Sequence, residues 1–512
     1  MYPIERGLPA RAAMGRLCLC ICLVLPAVAG CAAVGPDWQR PGVKMEQGYD
    51  PSAVSQAGRL AASPGVAAQS VGIERDIPGE WWTLFHSPVI NDLVQRALRN
   101  NPDIDAAQAT LRQAQELAQA EHGRGLPALT ATLGSSRQKQ PQSYQVGSRT
   151  PALLYDDQSA QLDLSYTPDF WGAYRRSVEQ ARAQVDYQHF QLEAAYLAIS
   201  AGVVTTAIQL ASTQQQVQAQ EQLIAFEQKQ LDTVQRQFEL GAATGSDVAT
   251  QQAQVAQAYT VLMPLRTQRD VQRHQLAAYL GVTPAEATIP DIHFDTLSLP
   301  GDLPLSLPSA LIAQRPDVRA AEALWHAQTA ALGVSVAQRL PNITLSAAYG
   351  SDASRPSGLF SPTNVLWSVA GKAMQSLFDG GQLKHAETAQ RHQMEAADAA
   401  WRTQVVAAFQ NVSDVLSAVR DDADNLHYAI EAKEAAGRSL SLASGQFRLG
   451  GVSYLSVLAA QQTYQTAVIG LVRAQASRYI DSVALYQALG GGWWNRADAD
   501  VAQAGRDREE AR

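Results

Sequence analysis

Phe170-Trp171-Gly172 opens, and Phe238-Glu239-Leu240-Gly241 closes, a proline-free stretch whose bounding glycines stand 69 positions apart. The same frame returns from Phe378-Asp379-Gly380-Gly381 to Phe447-Arg448-Leu449-Gly450, with the same separation between Gly381 and Gly450. Both stretches are rich in Ala, Gln, Leu, Glu and Arg, which favour the helix. At about 1.5 Å rise per residue, each predicts one uninterrupted helix of roughly 100 Å. Such a rod suits a device that crosses a compartment better than the core of a globular domain.

The duplication reaches beyond the rods. Pro102-Asp103-Ile104-Asp105-Ala106-Ala107 aligns with Pro316-Asp317-Val318-Arg319-Ala320-Ala321, and Leu126-Pro127 falls on Leu340-Pro341 at the same offset. Past the rods, Gly241-Ala242-Ala243-Thr244 and Val248 match Gly450-Gly451-Val452-Ser453 and Val457. The chain is therefore two copies of one unit, residues 89–280 and 316–492: medium helix, strand, strand, long helix, tip, medium helix. A proline-bearing linker, 281–315, separates them. An arm and segment, 31–88, precede them and a charged tail, 493–512, follows.

Residues 1–30 read as a secretory leader, with Arg6, Arg11 and Arg16 ahead of an apolar core from Leu17 to Val28. At its end, Val28-Ala29-Gly30-Cys31 resembles the bacterial lipobox. That pattern implies a diacylglycerol on the Cys31 thiol and an acyl chain on the new amino terminus, and several chains together give stable anchoring. Loss of the leader removes Arg6, Arg11, Arg16 and Glu5 and moves the formal charge from −8 to −10, which disfavours nucleic acid as a partner. It also removes Cys18, Cys20 and Cys22, so no internal disulfide can form.

Apolar and polar residues alternate in Leu129–Leu133 and Leu162–Thr167, and less cleanly in Ile343–Ala347 and Val365–Val369. Alternation marks strands with one apolar face. Four strands flanked by rods have no second sheet to pack on, whereas strands of about ten residues with a lipid-ready face build membrane barrels. Four cannot close a barrel, and an open edge in lipid leaves backbone groups unsatisfied, so the chain must oligomerise to span a membrane. The polar connections, Gln138–Asp157 and Gly350–Thr363, read as surface loops. Asp163 and Asp169, on the polar face, are candidate lumen charges. The apolar run Ala194–Leu210 holds Ser200, Thr205, Thr206 and Gln209 and reads as a packed seam rather than a membrane helix.

Several pieces, in this order along the chain, carry a resemblance: the lipobox, Gly35-Pro36-Asp37-Trp38, Glu80-Trp81-Trp82-Thr83-Leu84-Phe85, Tyr166-Thr167-Pro168-Asp169-Phe170-Trp171-Gly172, Arg315-Pro316-Asp317-Val318, Leu377-Phe378-Asp379-Gly380-Gly381 and Ala488-Leu489-Gly490-Gly491-Gly492-Trp493. The chain resembles the outer-membrane factor lipoproteins, the OprM and NodT branch of the TolC family of efflux channels, over residues 31–493. The resemblance implies a homotrimer with a twelve-stranded β-barrel continuous with a periplasmic α-helical barrel, the whole lipid-anchored in the outer membrane of a Gram-negative bacterium. It implies the exit duct of a tripartite efflux pump, with a membrane-fusion adaptor and an inner-membrane transporter of RND type as partners. Carried over by position, Gly241, Ala242, Ala243, Thr244, Gly450, Gly451, Val452 and Ser453 dock the adaptor, and Asp247, Phe447, Leu455, Ser456 and Ala459 form the periplasmic gate. Relatives often carry an aspartate where Ala459 stands and basic residues where Val452 or Gln462 stands, so closure here is expected to rest on apolar Leu455 and Phe447. Alternatives within reach of the sequence are a channel of the same fold for protein secretion and a non-conducting lipoprotein bridging envelope layers. No P-loop, Gly-x-Ser-x-Gly, His-Glu-x-x-His or paired-cysteine motif is present, and His385 and His392 share a helix face without a third ligand, so neither an enzyme nor a metal or cofactor site is expected.

Overall fold

The computed structural model describes residues 33–40, 69–73, 76–140, 153–305 and 308–496. The leader, Cys31, the middle of the first strand-to-strand connection and the tail beyond 496 lie outside the described residues. In chain order the elements are β1 (Ser70–Ile73), α1 (Pro88–Asn100), α2 (Pro102–Gly123), β2 (Ala128–Gln140), β3 (Leu153–Tyr166), α3 (Ala173–Glu239), α4 (Gly245–Tyr279), β4 (Asp302–Leu305), α5 (Pro308–Gln314), α6 (Pro316–Ala337), β5 (Asn342–Ala353), β6 (Val365–Met374), α7 (Gln382–Arg448) and α8 (Tyr454–Ala488). The two rods, α3 and α7, have 67 residues each, and the helices that follow the tips, α4 and α8, have 35 each.

The medium helix expected to open the first copy is two, α1 and α2. Pro102 lacks an amide hydrogen and bars its predecessor from the helical region, so Asn101 is extended at φ −74°, ψ 123°. The Asn101 side-chain oxygen then accepts the Asp103 amide at 2.8 Å and starts α2. Pro316 makes the same break between α5 and α6.

Two compact units divide the chain. The first comprises the described parts of Met1–Arg40, Arg112–Tyr187 and Glu322–Ala400. It holds an antiparallel sheet in the order β2-β3-β5-β6. The strands are longer than their alternating cores, so Gln138–Gln140, Leu153–Asp157 and Gly350–Ala353, expected in loops, extend the ladders. Register puts Leu129 opposite Leu164, Leu162 opposite Tyr349, and Tyr349 opposite Trp367, all on one face. Thr130 and Asp163, then Asp163 and Ala348, then Ala348 and Ser368 follow one another on the other face.

Asp169 is not on that polar face, because β3 ends at Tyr166. Its carboxylate instead accepts the amides of Tyr174 and Arg175 at 3.1 and 3.0 Å and caps α3. Asp379 does the same for α7, accepting from Gly381 and Leu383. The segment Ala33–Arg40 is also seated here: the Val34 amide donates to the Trp171 carbonyl, Arg176 pairs with Asp37, and the Trp38 ring stacks on His326 at 4.8 Å.

The second unit comprises the described parts of Pro41–Leu111, Gln188–Ala321 and Trp401–Arg512. Its core includes Trp81, Phe85, Val203, Ile208, Leu276 and Tyr486. Within Ala194–Leu210, Val203, Val204, Ala207, Ile208 and Leu210 have no exposed surface. The helix that carries the run, α3, holds a window long and apolar enough to pass for a membrane span, but these five side chains of the run are packed in the unit's core. Residues expected in the arm segment and the linker pair here as a short parallel sheet, Ser70 opposite Asp302 through Ile73 opposite Leu305. Four residues per strand are too few for alternation to register in the sequence.

Candidate functional site

Both hairpin turns are built alike. Gly241 and Gly450 take φ +75° and +76°, a left-handed conformation that a side chain disfavours. One residue on, the Ala242 amide donates to the Gln237 carbonyl at 2.7 Å and the Gly451 amide to the Gln446 carbonyl at 2.9 Å. This is the Schellman closure, which satisfies the last carbonyls of α3 and α7 and reverses the chain.

The starts of the following helices differ. Thr244 and Asp247 form a capping box, the Thr244 hydroxyl receiving the Asp247 amide while the Asp247 carboxylate receives the Thr244 amide at 2.8 Å. Those hydrogen bonds, led by the one from the Thr244 backbone, hold the Asp247 carboxyl below the ordinary carboxylate range. Asp247, expected as a gate acid, is thus also part of the helix start. Ser453 makes no such cap, and its hydroxyl meets that of Ser456 at 3.2 Å.

Gly241, Ala242, Thr244, Gly450, Gly451 and Ser453 are exposed; Ala243 and Val452 are half-buried. Of the expected gate residues, Leu455 is 69% exposed, Ser456 and Ala459 are open to solvent, and the Phe447 ring lies 5.6 Å from that of Tyr454. Two exposed leucines escaped the sequence reading. Leu240 and Leu449, the Leu of each Phe-x-Leu-Gly, are 84% and 89% exposed, so each tip presents an apolar side chain beside its glycine.

A buried polar chain behind the second tip also escaped it. Tyr454, the first residue of α8, donates its hydroxyl to Gln251 Oε1 on α4 at 3.1 Å. Gln251 Nε2 donates in turn to Glu227 on α3, to the carboxylate at 2.5 Å and the carbonyl at 3.1 Å. Gln251 and Glu227 are buried, and burial pushes the Glu227 carboxyl above its ordinary range against the lowering effect of the Gln251 hydrogen bond. Burial also pushes the Tyr454 hydroxyl up to about 12. Nothing in a glutamine-rich helix marks Gln251 apart from its neighbours.

The sheet of the first unit is the second feature with functional content. Its apolar face is bare: Leu129, Leu133, Tyr349, Trp367 and Val369 are 68, 80, 59, 73 and 75% exposed. Neither β2 nor β6 has a second neighbour among the described residues. His392 pairs with Glu395, and no cluster of three metal-ligating side chains occurs among the described residues.

Comparison with known proteins converges on one family. The model of the outer membrane efflux protein family matches residues 93–282 and 307–491. The pyoverdine export outer membrane protein OpmQ of Pseudomonas aeruginosa is 31% identical over 424 residues, covering 81% of this chain and 87% of that protein. Nodulation protein T of Rhizobium leguminosarum bv. viciae is 28% identical over 478 residues, 92% of each chain. Among solved structures, the outer-membrane channel OprN superposes with a TM-score of 0.82 at 25% identity, over 90% of this chain and all of that one. With two matched stretches that together span most of its length, the chain belongs to the outer membrane efflux protein family, the TolC-type channels, and is a conduit rather than an enzyme.

Proposed function

We propose that three copies of this chain form the outer-membrane exit duct of a tripartite efflux pump of the RND class, through which small molecules leave the periplasm. The observation that carries this reading is the bare apolar face of an open-edged sheet backed by a polar face. In water such a face is an aggregation hazard; in a bilayer it is the lipid-facing wall of a barrel. In the four-stranded antiparallel order, β2 and β6 run in opposite directions. The edge of one copy therefore meets that of the next in antiparallel pairing, and three copies give twelve strands with no free edge.

Gly241–Thr244 and Gly450–Ser453, with Leu240 and Leu449 beside them, form the surface on which the periplasmic adaptor docks. Leu455 and Phe447 narrow the opening, with Ser456, Ala459 and Asp247 around them. Cys31 carries the diacylglycerol and acyl chain. Support for the anchor comes from the sequence alone, Val28-Ala29-Gly30-Cys31 at the end of the leader's apolar core. Small molecules are the cargo by kinship with a relative named for pyoverdine export.

Paired cysteine substitutions on neighbouring residues of β2 test the barrel. In intact outer membranes, Leu133→Cys should react with a membrane-soluble maleimide and resist a charged one, while Thr132→Cys should show the reverse. Equal reactivity of both towards the charged reagent would contradict a lipid-facing wall.

A further inference from the structure

We propose that Gln251 and Glu227 are positioning residues of the gate: through Tyr454 they tie the second tip to the first hairpin, and a proton on Glu227 keeps the tie closed. The inference rests on the reading of the tips as the gate of a channel.

The geometry is a relay from the opening into the packed interior. Phe447, beside the second tip, lies against the Tyr454 ring, and Leu455 is the next residue along α8. Anything that fixes Tyr454 therefore fixes both apolar gate side chains. Tyr454 is held by Gln251 at 3.1 Å, and Gln251, 1% exposed, is held by two acceptors on Glu227. The three side chains sit on three helices, α8, α4 and α3, so moving the second tip away from the first hairpin breaks the chain at the Tyr454–Gln251 link.

The proton enters through burial. Glu227 is 7% exposed, and among the described residues no Lys, Arg or His forms an ion pair with it. From α4 the group facing it is the neutral Gln251 amide, and from α8 the titratable group facing it is Tyr454, whose hydroxyl stays neutral. An ionised carboxylate in that position is opposed by desolvation without a compensating cation. Parting the hairpins admits water and relieves the cost, so the open arrangement binds the proton less tightly than the closed one. By linkage, acid favours closure, and raising the pH through the carboxyl's elevated range favours opening.

Planar-bilayer recordings of the purified oligomer, wild type beside Glu227→Gln and Tyr454→Phe, test this. Wild-type open occupancy should rise as the pH climbs from the ordinary carboxylate range through the elevated range of the Glu227 carboxyl. Glu227→Gln keeps the size and hydrogen-bonding capacity of the side chain but cannot ionise, and should stay at the low acid-side level throughout. Tyr454→Phe retains the ring and loses the one hydrogen bond, and should raise occupancy about fivefold at both ends of the range. A wild-type pH profile in Glu227→Gln, or wild-type occupancy in Tyr454→Phe, overturns the inference and leaves the channel standing. Absence of conductance in all three, from protein shown to be oligomeric, overturns the channel reading and this inference with it.

Discussion

A Cβ built on Gly450 meets no atom within 4 Å, whereas one built on Gly281 falls 2.2 Å from the Asn100 carbonyl oxygen. Both glycines are left-handed, at φ +76° and +69°. Gly450→Ala therefore carries only the conformational cost, about 1–2 kcal/mol. Gly281→Ala adds a backbone collision and should cost about 1–3 kcal/mol more. Thermal unfolding of the two purified variants should rank them in that order. At the first tip, Thr244→Ala removes the hydroxyl that receives the Asp247 amide and should weaken the start of α4 by about 1 kcal/mol. Hydrogen exchange at residues 245–248 reads this directly. Because the Asp247 carboxyl is held below its ordinary range, the cap is intact above that range and fails as the pH falls through it; exchange at the tip should accelerate in acid. The glycines were legible from the Phe-x-Leu-Gly repeat because left-handed turns select glycine. Asp247 was legible as an acid but not as a cap, and Asp169 was misread as a strand residue, because alternation in β3 does not announce its last residue. Trp81-Trp82 and Gly490-Gly491-Gly492 stood out without a reason. The structure supplies one: Trp81 stacks on Tyr486 at 5.5 Å, and a Cβ on Gly492 would fall 2.5 Å from the Ile77 carbonyl oxygen.

The strands behave as elements because register repeats their alternation across the three ladders that join β2, β3, β5 and β6. Leu133→Arg places a charge on the bare apolar face and should cost about 2–4 kcal/mol if that position lies near the bilayer midplane; Thr132→Arg, on the polar face, should be nearly neutral. The fraction of heat-resistant oligomer in outer membranes distinguishes them. The long helices were the most legible elements: proline-free composition between two glycine turns gave α3 and α7 nearly to the residue. Their packing was not legible, since buried Gln216, Gln220, Gln251 and Gln272 look like solvent-facing glutamines until their partners are seen. In α8, burial, with the Asp422 carboxyl beside it, pushes the Asp481 carboxyl up to about 7. A raised carboxyl pKa means that its contribution to stability is present in acid and is lost as the pH climbs towards 7. Asp481→Asn should therefore be more stable than wild type near pH 8 and lose that advantage near pH 4, as read by melting temperature.

At the scale of the molecule, family membership and a bare apolar sheet point to a membrane-spanning conduit that a single chain cannot complete. On the proposed reading, the two open edges of the sheet call for further copies, the two exposed tips for a periplasmic adaptor, and Leu455 with Phe447 for an apolar constriction. The most direct test is the single-channel conductance of detergent-purified oligomer in planar bilayers, wild type against Leu455→Ala. A small wild-type conductance that rises several-fold in the variant is the expected result. An oligomer that inserts and conducts nothing in either form would contradict the assignment of the chain as an exit duct.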